Sequence, residues 1–318
     1  MGKNSIDMAD EAFSAALAKL RTVSAEELKE IFGFSTSCNY QPTTDDLRQL
    51  KMPQDDIQIL KYLVKNLNPQ RHLEFGTWTG AGALAVLQNS NATVWSINLR
   101  DGEITEGGQP AYAETISPAE FRNRFSNKPA PEITRKIGGT DQKNTDPLSL
   151  DNGNEVPRDD YVIEYRTDAR GMIGHLVHEA GLSDRFHQIY ADSKTWDIAK
   201  YQRRGFDTVL IDGGHDNETV LNDSRKAIAL AKPGGTIIWH DFCPDPSVYE
   251  VMSSCQGVVA AILELDETLA TELSDYFWVD QTWMLVGRKR TKSFAPAYFL
   301  RQRIGAFFSA FLRSWKEQ

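Results

Sequence analysis

The sequence predicts an α/β fold built on a doubly wound, mostly parallel sheet. Three observations predict it. From residue 55 onward, short apolar runs of strand character alternate with segments of helical spacing. The run Leu73-Glu74-Phe75 enters a turn, Gly76-Thr77-Trp78-Thr79-Gly80, and a small apolar helix start follows at Ala81-Gly82-Ala83-Leu84. Such a turn lets backbone pass close to a ligand at the carboxyl end of a parallel strand. Finally, polar residues close successive candidate strands, where open α/β sheets bind their ligands.

Residues 5–32 read as helical. Phe13, Ala16, Leu17 and Leu20 fall at helical spacing, and Ser24-Ala25-Glu26-Glu27 resembles a capping box. A second helix spans 55–67, with Ile57, Leu60, Leu63 and Val64 on its apolar side, and Asn68-Pro69 ends it. Then come a strand at 71–75, a helix at 81–88 and a strand at 93–99. Periodicity lapses over 100–160, which is rich in Gly, Pro, Asn, Asp and Thr, with a short helix expected at 118–125. A connection this long is a substrate lid or a solvated insertion. Alternation resumes with a helix at 171–180 and strands at 186–190 and 208–212. A helix at 218–231 is closed by Lys232-Pro233-Gly234-Gly235, and a strand follows at 236–240. Residues 258–265 and 278–287 complete the sheet in this reading.

The last segment, 291–318, reads as an amphipathic helix. Phe299, Leu300, Ile304, Phe307, Phe308, Phe311, Leu312 and Trp315 form a broad apolar face flanked by Arg301, Arg303, Arg313 and Lys316, with Arg288-Lys289-Arg290 upstream. It would lie on an anionic membrane surface, dock on a partner, or pack on its own domain or across a homo-oligomer.

Composition bounds the function. A net charge of −9 argues against a general nucleic-acid binder. Cys38, Cys243 and Cys255 have no paired short spacing, so neither a disulfide framework nor a zinc knuckle is expected, and a reducing, cytoplasmic compartment is. There is no apolar signal core at the start and no run long enough to span a bilayer.

The strand ends carry the chemistry. Glu74, Gly76, Thr77 and Gly80 follow the first strand, Asn98 the second, and Asp192 and Ser193 the third. Asp212, Gly213, Gly214 and His215 follow the fourth, and His240 and Asp241 the fifth. A carboxylate at Glu74 repels phosphate, so its turn suits a cation or a sugar hydroxyl better than a pyrophosphate.

In this order the motifs resemble those of class I S-adenosylmethionine-dependent methyltransferases. The resemblance rests on Glu74 to Gly80, on Ala191-Asp192-Ser193 with Trp196-Asp197, and on Val209-Leu210-Ile211-Asp212-Gly213-Gly214-His215. It continues through Val220, Asp223 and Ala227, Leu230 to Gly235, and Trp239-His240-Asp241. The branch it is similar to is that of macrolide-sugar O-methyltransferases and cephalosporin-hydroxylase-like proteins. The resemblance implies a seven-stranded Rossmann-like sheet. It also implies an N-terminal helical extension (1–54), a methyltransferase domain (55–290) and the C-terminal helix. It places Glu74 near the cofactor's methionine amine, with Gly76, Thr77 and Gly80 shaping the approach. Asn98 stands where the family carries an acid for the ribose hydroxyls, and an amide can still accept from one hydroxyl and donate to another. Asp192, with Ser193, is expected near the adenine, or else as a turn cap.

The resemblance also counts Asp212 among the cofactor-binding and catalytic positions, and Asp212, His240 and Asp241 fall where metal-dependent relatives hold a divalent ion, here magnesium, manganese or zinc. Imidazole suits the softer ions. Alternatively His240 or His215 is a general base without metal, or His215 only shapes its loop. Trp78 reads as core or as a border of the cofactor site. His72, His175, His178 and His187 read as structural. The acceptor implied is a hydroxyl on a sugar, glycan or other small biosynthetic intermediate. The alternatives are a non-methylating, hydroxylase-like metal enzyme on the same fold and a non-catalytic cofactor-binding scaffold.

Overall fold

A computed structural model describes residue 17 and residues 20–99 and 173–291. The expected insertion (100–160) with its helix at 118–125, and the C-terminal helix, lie outside the described residues.

The described chain runs β1 (Arg21–Val23), α1 (Leu28–Phe32), α2 (Asp56–Leu67), β2 (Arg71–Phe75), α3 (Ala81–Asn89) and β3 (Thr93–Asn98). After the undescribed stretch come α4 (His175–Glu179), β4 (Phe186–Tyr190), α5 (Ala199–Gln202), β5 (Phe206–Ile211), α6 (Asn217–Leu230) and β6 (Ala231–Trp239). The chain closes with α7 (Pro246–Tyr249), α8 (Ser253–Glu264), α9 (Asp266–Glu272), β7 (Leu273–Val279) and β8 (Met284–Lys289).

The strands form one sheet in the order β1-β7-β8-β6-β5-β2-β3-β4. Only β8 runs against its neighbours; every other pairing is parallel. The seven-stranded sheet is present from β7 to β4, and β1 adds an eighth strand at its edge. Alternate residues of each strand enter opposite cores, as period-two geometry requires. Leu73, Phe75, Val209, Ile211, Ile237 and Trp239 pack with α6 and α8. Val94, Leu210, Ile238 and Val286 pack with α2 and α3.

Three expectations are corrected. Residues 258–264 lie in α8 and Leu265 caps its end, so none of them is in a strand. Their apolar run fits either state, and Val258, Val259, Ala261 and Ile262 are the buried face of a helix that packs against α6. The single run 278–287 is an antiparallel hairpin, β7 and β8, turning at Asp280–Trp283. Of the helix expected over 5–32, residues 5–16, 18 and 19 lie outside the described residues; Arg21–Val23 is a strand, because Arg21, Thr22 and Val23 pair with Phe277, Trp278 and Val279. The extension is therefore not wholly helical, and it belongs to the same sheet as the rest. The capping box is present: Ser24 N–H donates to Glu27 Oε2 at 2.8 Å and Glu27 N–H to Ser24 Oγ at 3.3 Å.

Lys232 to Gly235 does not simply end a helix. It forms a bulge inside β6, between the pairs Phe206–Ala231 and Thr208–Thr236. The basic residues upstream of the C-terminal segment are engaged within the domain. Lys289 Nζ reaches Glu272 Oε2 at 2.7 Å, and Arg290 donates to the carbonyls of Thr271 and Ala270. Among the described residues no helix is long and apolar enough to cross a membrane.

Candidate active site

The strand order reverses at β2, whose neighbours β3 and β5 lead away in opposite directions. In open α/β sheets the ligand crevice lies at such a switch point, here the carboxyl ends of β2 and β5. The loops there leave from tightly held backbone. Gly76 N–H bonds Ile97 O, Asp212 N–H bonds Phe75 O, and His240 N–H bonds Ile211 O, at 2.8, 2.8 and 2.9 Å. Gly76 has a φ of +89°, and a Cβ there would lie 2.0 Å from the Asp212 carbonyl oxygen. The β2 and β5 loops thus touch through a position only glycine can fill.

Glu74 is closed off from solvent. It is 1% exposed and lies beneath the first turn of α3, where Ser96 Oγ donates to its Oε2 at 2.7 Å. The α3 backbone comes so close that a Cβ on Gly82 would stand 2.1 Å from Glu74 Oε1. Burial, reinforced by the Asp212 charge, raises the Glu74 pKa to about 8 against the opposing bonds from Ser96 and Ala83 N–H. Ser96 continues the network to Thr77 Oγ1 at 2.7 Å, and Gln188 Nε2 donates to the same Thr77 oxygen at 2.9 Å. Ser96 and Gln188 belong to no motif in the sequence, and Gly82 reads there only as part of a small helix start; their place beside the first motif's acid and turn gives them meaning.

Asn98 holds the glycine turn. Its Oδ1 accepts from Thr77 N–H at 2.9 Å and Trp78 N–H at 3.3 Å, and its Nδ2 donates to Leu99 O at 2.9 Å. Trp78 is 38% exposed with a φ of +42°, so it is not a core residue. Gly80 has a φ of +87° and starts α3. Asp192 caps a turn: its Oδ1 accepts from Lys194 N–H at 2.8 Å and its carbonyl from Trp196 N–H at 2.9 Å. Ser193 lends its carbonyl to Lys226 Nζ and to Asn222 Nδ2. His72, His178 and His187 are shielded, and burial lowers each imidazole, to about 3, 4 and 4. With the buried His175, they read as structural.

The ends of β5 and β6 bring together the other candidates. His240 Nδ1 lies 3.0 Å from Asp212 Oδ1 and 3.0 Å from Asp241 Oδ2. His215 Nε2 lies 2.8 Å from the same Asp241 oxygen, so its ring is committed to the cluster. His240 Nε2 meets a residue that strand-end reading missed: Asp56 Oδ2, at 3.1 Å, from the first turn of α2. Side-chain exposures of 36% for His215 and 23% for Asp212, against 7% for His240 and 1% for Asp56, set front and back. His215 and Asp212 are the solvent-facing members, and His240 and Asp56 are the buried ones. Asp241 has a φ of +55°, a left-handed conformation that costs a non-glycine residue energy and recurs at functional sites.

Charge governs this cluster. Burial alone would lower His240, but the Asp212 and Asp241 carboxylates outweigh it and hold its pKa well above the ordinary value. At His215 burial is likewise overcome, chiefly by Asp241, and the pKa rises. Burial would raise Asp241, yet His240 and His215 together pull it well below the usual carboxylate range.

The donor set suits a divalent ion. One ligand atom each from Asp212, His240 and Asp241 lies within 4.8 Å of the others. Ligand atoms about 2.1 Å from an ion and at right angles are about 3.0 Å apart, the spacing of His240 Nδ1 from both carboxylate oxygens. Without an ion, a proton on Nδ1 serves the same two oxygens.

A family model described as "Methyltransferase domain" matches residues 73–242, more than half of the 318-residue chain. No curated protein matches the sequence. Among solved structures, the chain is similar to the O-methyltransferase TomG from Streptomyces achromogenes, involved in tomaymycin synthesis and solved with SAM. Identity is 14% over 89% of this chain and 96% of that one, with a TM-score of 0.40. It is also similar to an O-methyltransferase from Bacillus cereus in complex with SAH, at 14% identity over 91% and 93%, TM-score 0.38. A third is SAH-bound PaMTH1 from Podospora anserina, at 10% identity over 92% and 99%, TM-score 0.43.

Proposed function

The chain belongs to the methyltransferase-domain family and is an S-adenosylmethionine-dependent methyltransferase, and from that premise we propose that it methylates a hydroxyl oxygen on a sugar or another small biosynthetic intermediate. The observation that carries this reading is the cluster Asp212, His215, His240 and Asp241 beside the Gly76 turn. A hydroxyl is a poor nucleophile until its proton is taken, and this cluster supplies groups that can take it. Cofactor and acceptor would meet where the β2 and β5 loops touch, with Gly76, Thr77 and Gly80 on the cofactor side. Asn98 and Glu74 would act from behind, by holding that turn.

The bound cofactor supplies an electrophilic methyl on a sulfonium, which leaves as a neutral thioether. The residues do the rest. Asp241 holds His215 through its Nε2–H, which directs the ring and leaves Nδ1 as the atom able to receive the acceptor's proton. Asp212, the more open carboxylate, stands where the acceptor oxygen would be oriented for in-line attack. A divalent ion, if recruited, would be held by Asp212 Oδ1, His240 Nδ1 and Asp241 Oδ2, and would lower the pKa of the acceptor hydroxyl.

The test is turnover with labelled S-adenosylmethionine and a panel of small hydroxylated acceptors, with and without chelator. Asp212→Asn is expected to lower methyl transfer by at least ~100-fold, in the range seen for loss of general-base or electrostatic assistance, while cofactor affinity changes by no more than about threefold. Full activity in that variant would remove Asp212 from the mechanism.

A further inference from the structure

We propose that Asp56 is a positioning residue of this site, taking the Nε2–H of His240 so that the ring presents its Nδ1 edge to Asp212 and Asp241. This deepens the reading above and rests on it for the use made of that edge.

Three observations carry it. A carboxylate oxygen accepts but does not donate, so the 3.1 Å contact between Asp56 Oδ2 and His240 Nε2 requires the hydrogen on Nε2. A ring turned over would put a carbon edge toward one set of carboxylates and lose bonds on both sides. Both partners are almost fully buried, so water cannot replace the bond. Asp56 is itself pinned, because Trp283 N–H approaches both its oxygens at 3.3 Å and Trp283 Nε1 donates to Leu47 O at 2.8 Å. Its neighbour Asp55 closes residues 43–55 on themselves, accepting from Thr43 N–H at 2.7 Å and Lys51 N–H at 2.9 Å. The start of α2, the β7–β8 turn and the end of β6 are thus locked together at one imidazole.

A carboxylate behind a histidine fixes its tautomer and orientation, and a divalent ion is bound more tightly for it. A purely structural role for Asp56, as a tie between α2 and Trp283, would leave the front edge of His240 indifferent to its loss. The two roles separate in measurement.

The experiment compares wild type, Asp56→Asn and Asp56→Ala. Mn²⁺ binding to the ligand-free protein is measured by calorimetry, with S-adenosylmethionine affinity as the control for an intact cofactor site. Asp56→Ala is expected to weaken Mn²⁺ about 10- to 100-fold, and Asp56→Asn, whose amide oxygen still accepts from Nε2–H, to recover much of that loss. S-adenosylmethionine affinity is expected to stay within about twofold. A second readout needs no metal. With ¹⁵N-histidine labelling, and His240→Gln to assign the signal, the hydrogen-bonded Nε2–H of His240 is expected downfield and slow to exchange in wild type, and shifted upfield and exchanging faster in Asp56→Ala. Mn²⁺ affinity unchanged in Asp56→Ala, or an unchanged Nε2–H signal there, overturns the proposal. If wild type itself binds no Mn²⁺, the metal part of the functional reading falls, while the nuclear resonance comparison still decides the role of Asp56.

Discussion

Replacing Glu74 by Gln should make the protein more stable in mild alkali and leave it nearly unchanged in mild acid. The carboxyl lies under α3 with 1% exposure, and burial raises its pKa from 4.5 to about 8. Between those values the unfolded chain has released the proton and the folded chain still holds it. Stability therefore falls as pH rises through this window, present in full below about 4.5 and lost by about 8. Each tenfold displacement of a proton equilibrium is worth about 1.4 kcal/mol, so the full loss is about 5 kcal/mol at most. Gln carries no such proton. Its amide oxygen can accept from Ala83 N–H and its NH₂ can donate to Ser96 Oγ, whose own hydrogen then turns to Thr77 Oγ1, 2.7 Å away. Denaturant unfolding near pH ~5 and near pH ~8.5 measures the effect. The Gln variant should match wild type within about 1 kcal/mol at the lower pH and exceed it by about 3–5 kcal/mol at the higher. The same difference at both pH values would refute the reasoning, because it would mean that Glu74 titrates alike in folded and unfolded chains.

Two further changes probe the turn and the base. Asn98→Ala removes the oxygen that gathers Thr77 N–H and Trp78 N–H, and should weaken S-adenosylmethionine about 10-fold, the ~1.4 kcal/mol expected for loss of hydrogen bonds that preorganise a loop. A binding titration checks it, and an unchanged Kd would show that the turn holds itself. His215 must be neutral to accept a proton, and its pKa is raised, mainly by Asp241 against burial. The rate should accordingly climb with pH as the ring loses its proton. His215→Gln should flatten that acid limb in a pH–rate profile and slow turnover ~10²- to 10⁴-fold; a limb that survives the change belongs to another group.

The parallel sheet was legible because its signal is local. Strands such as Val209-Leu210-Ile211 are apolar on both faces, helices such as α6 carry a periodic stripe, and Asp216 caps α6 by accepting from Thr219 N–H at 2.9 Å. Where the reading failed, the deciding contact was distant. Val258 to Leu265 is apolar enough for a strand, and only its packing in the core beneath α6 makes it a helix. Arg21–Val23 has little strand character by itself, and its strand state comes from an edge some 250 residues away in β7.

The same distinction runs through the site. Reading strand ends gathered Asp212, His215, His240 and Asp241, because a parallel sheet delivers the ends of adjacent strands to one place. It could not deliver orientation. Glu74 is the last residue but one of β2, and alternation turns its carboxyl under α3. Asn98 looked like a displaced ribose ligand by position, yet its amide oxygen is occupied by the turn. Asp56 stood outside the scheme altogether, since it begins a helix 184 residues before His240. A rule about strand termini cannot find a residue that reaches the site from behind. The donor set in front of His240 can thus be read from motif order, whereas the tautomer that makes Nδ1 available depends on a fold-level contact. Substitutions at Asp212 should therefore act on chemistry, and those at Asp56 on the geometry that chemistry requires, which Mn²⁺ affinity and the His240 ring signal resolve independently of turnover.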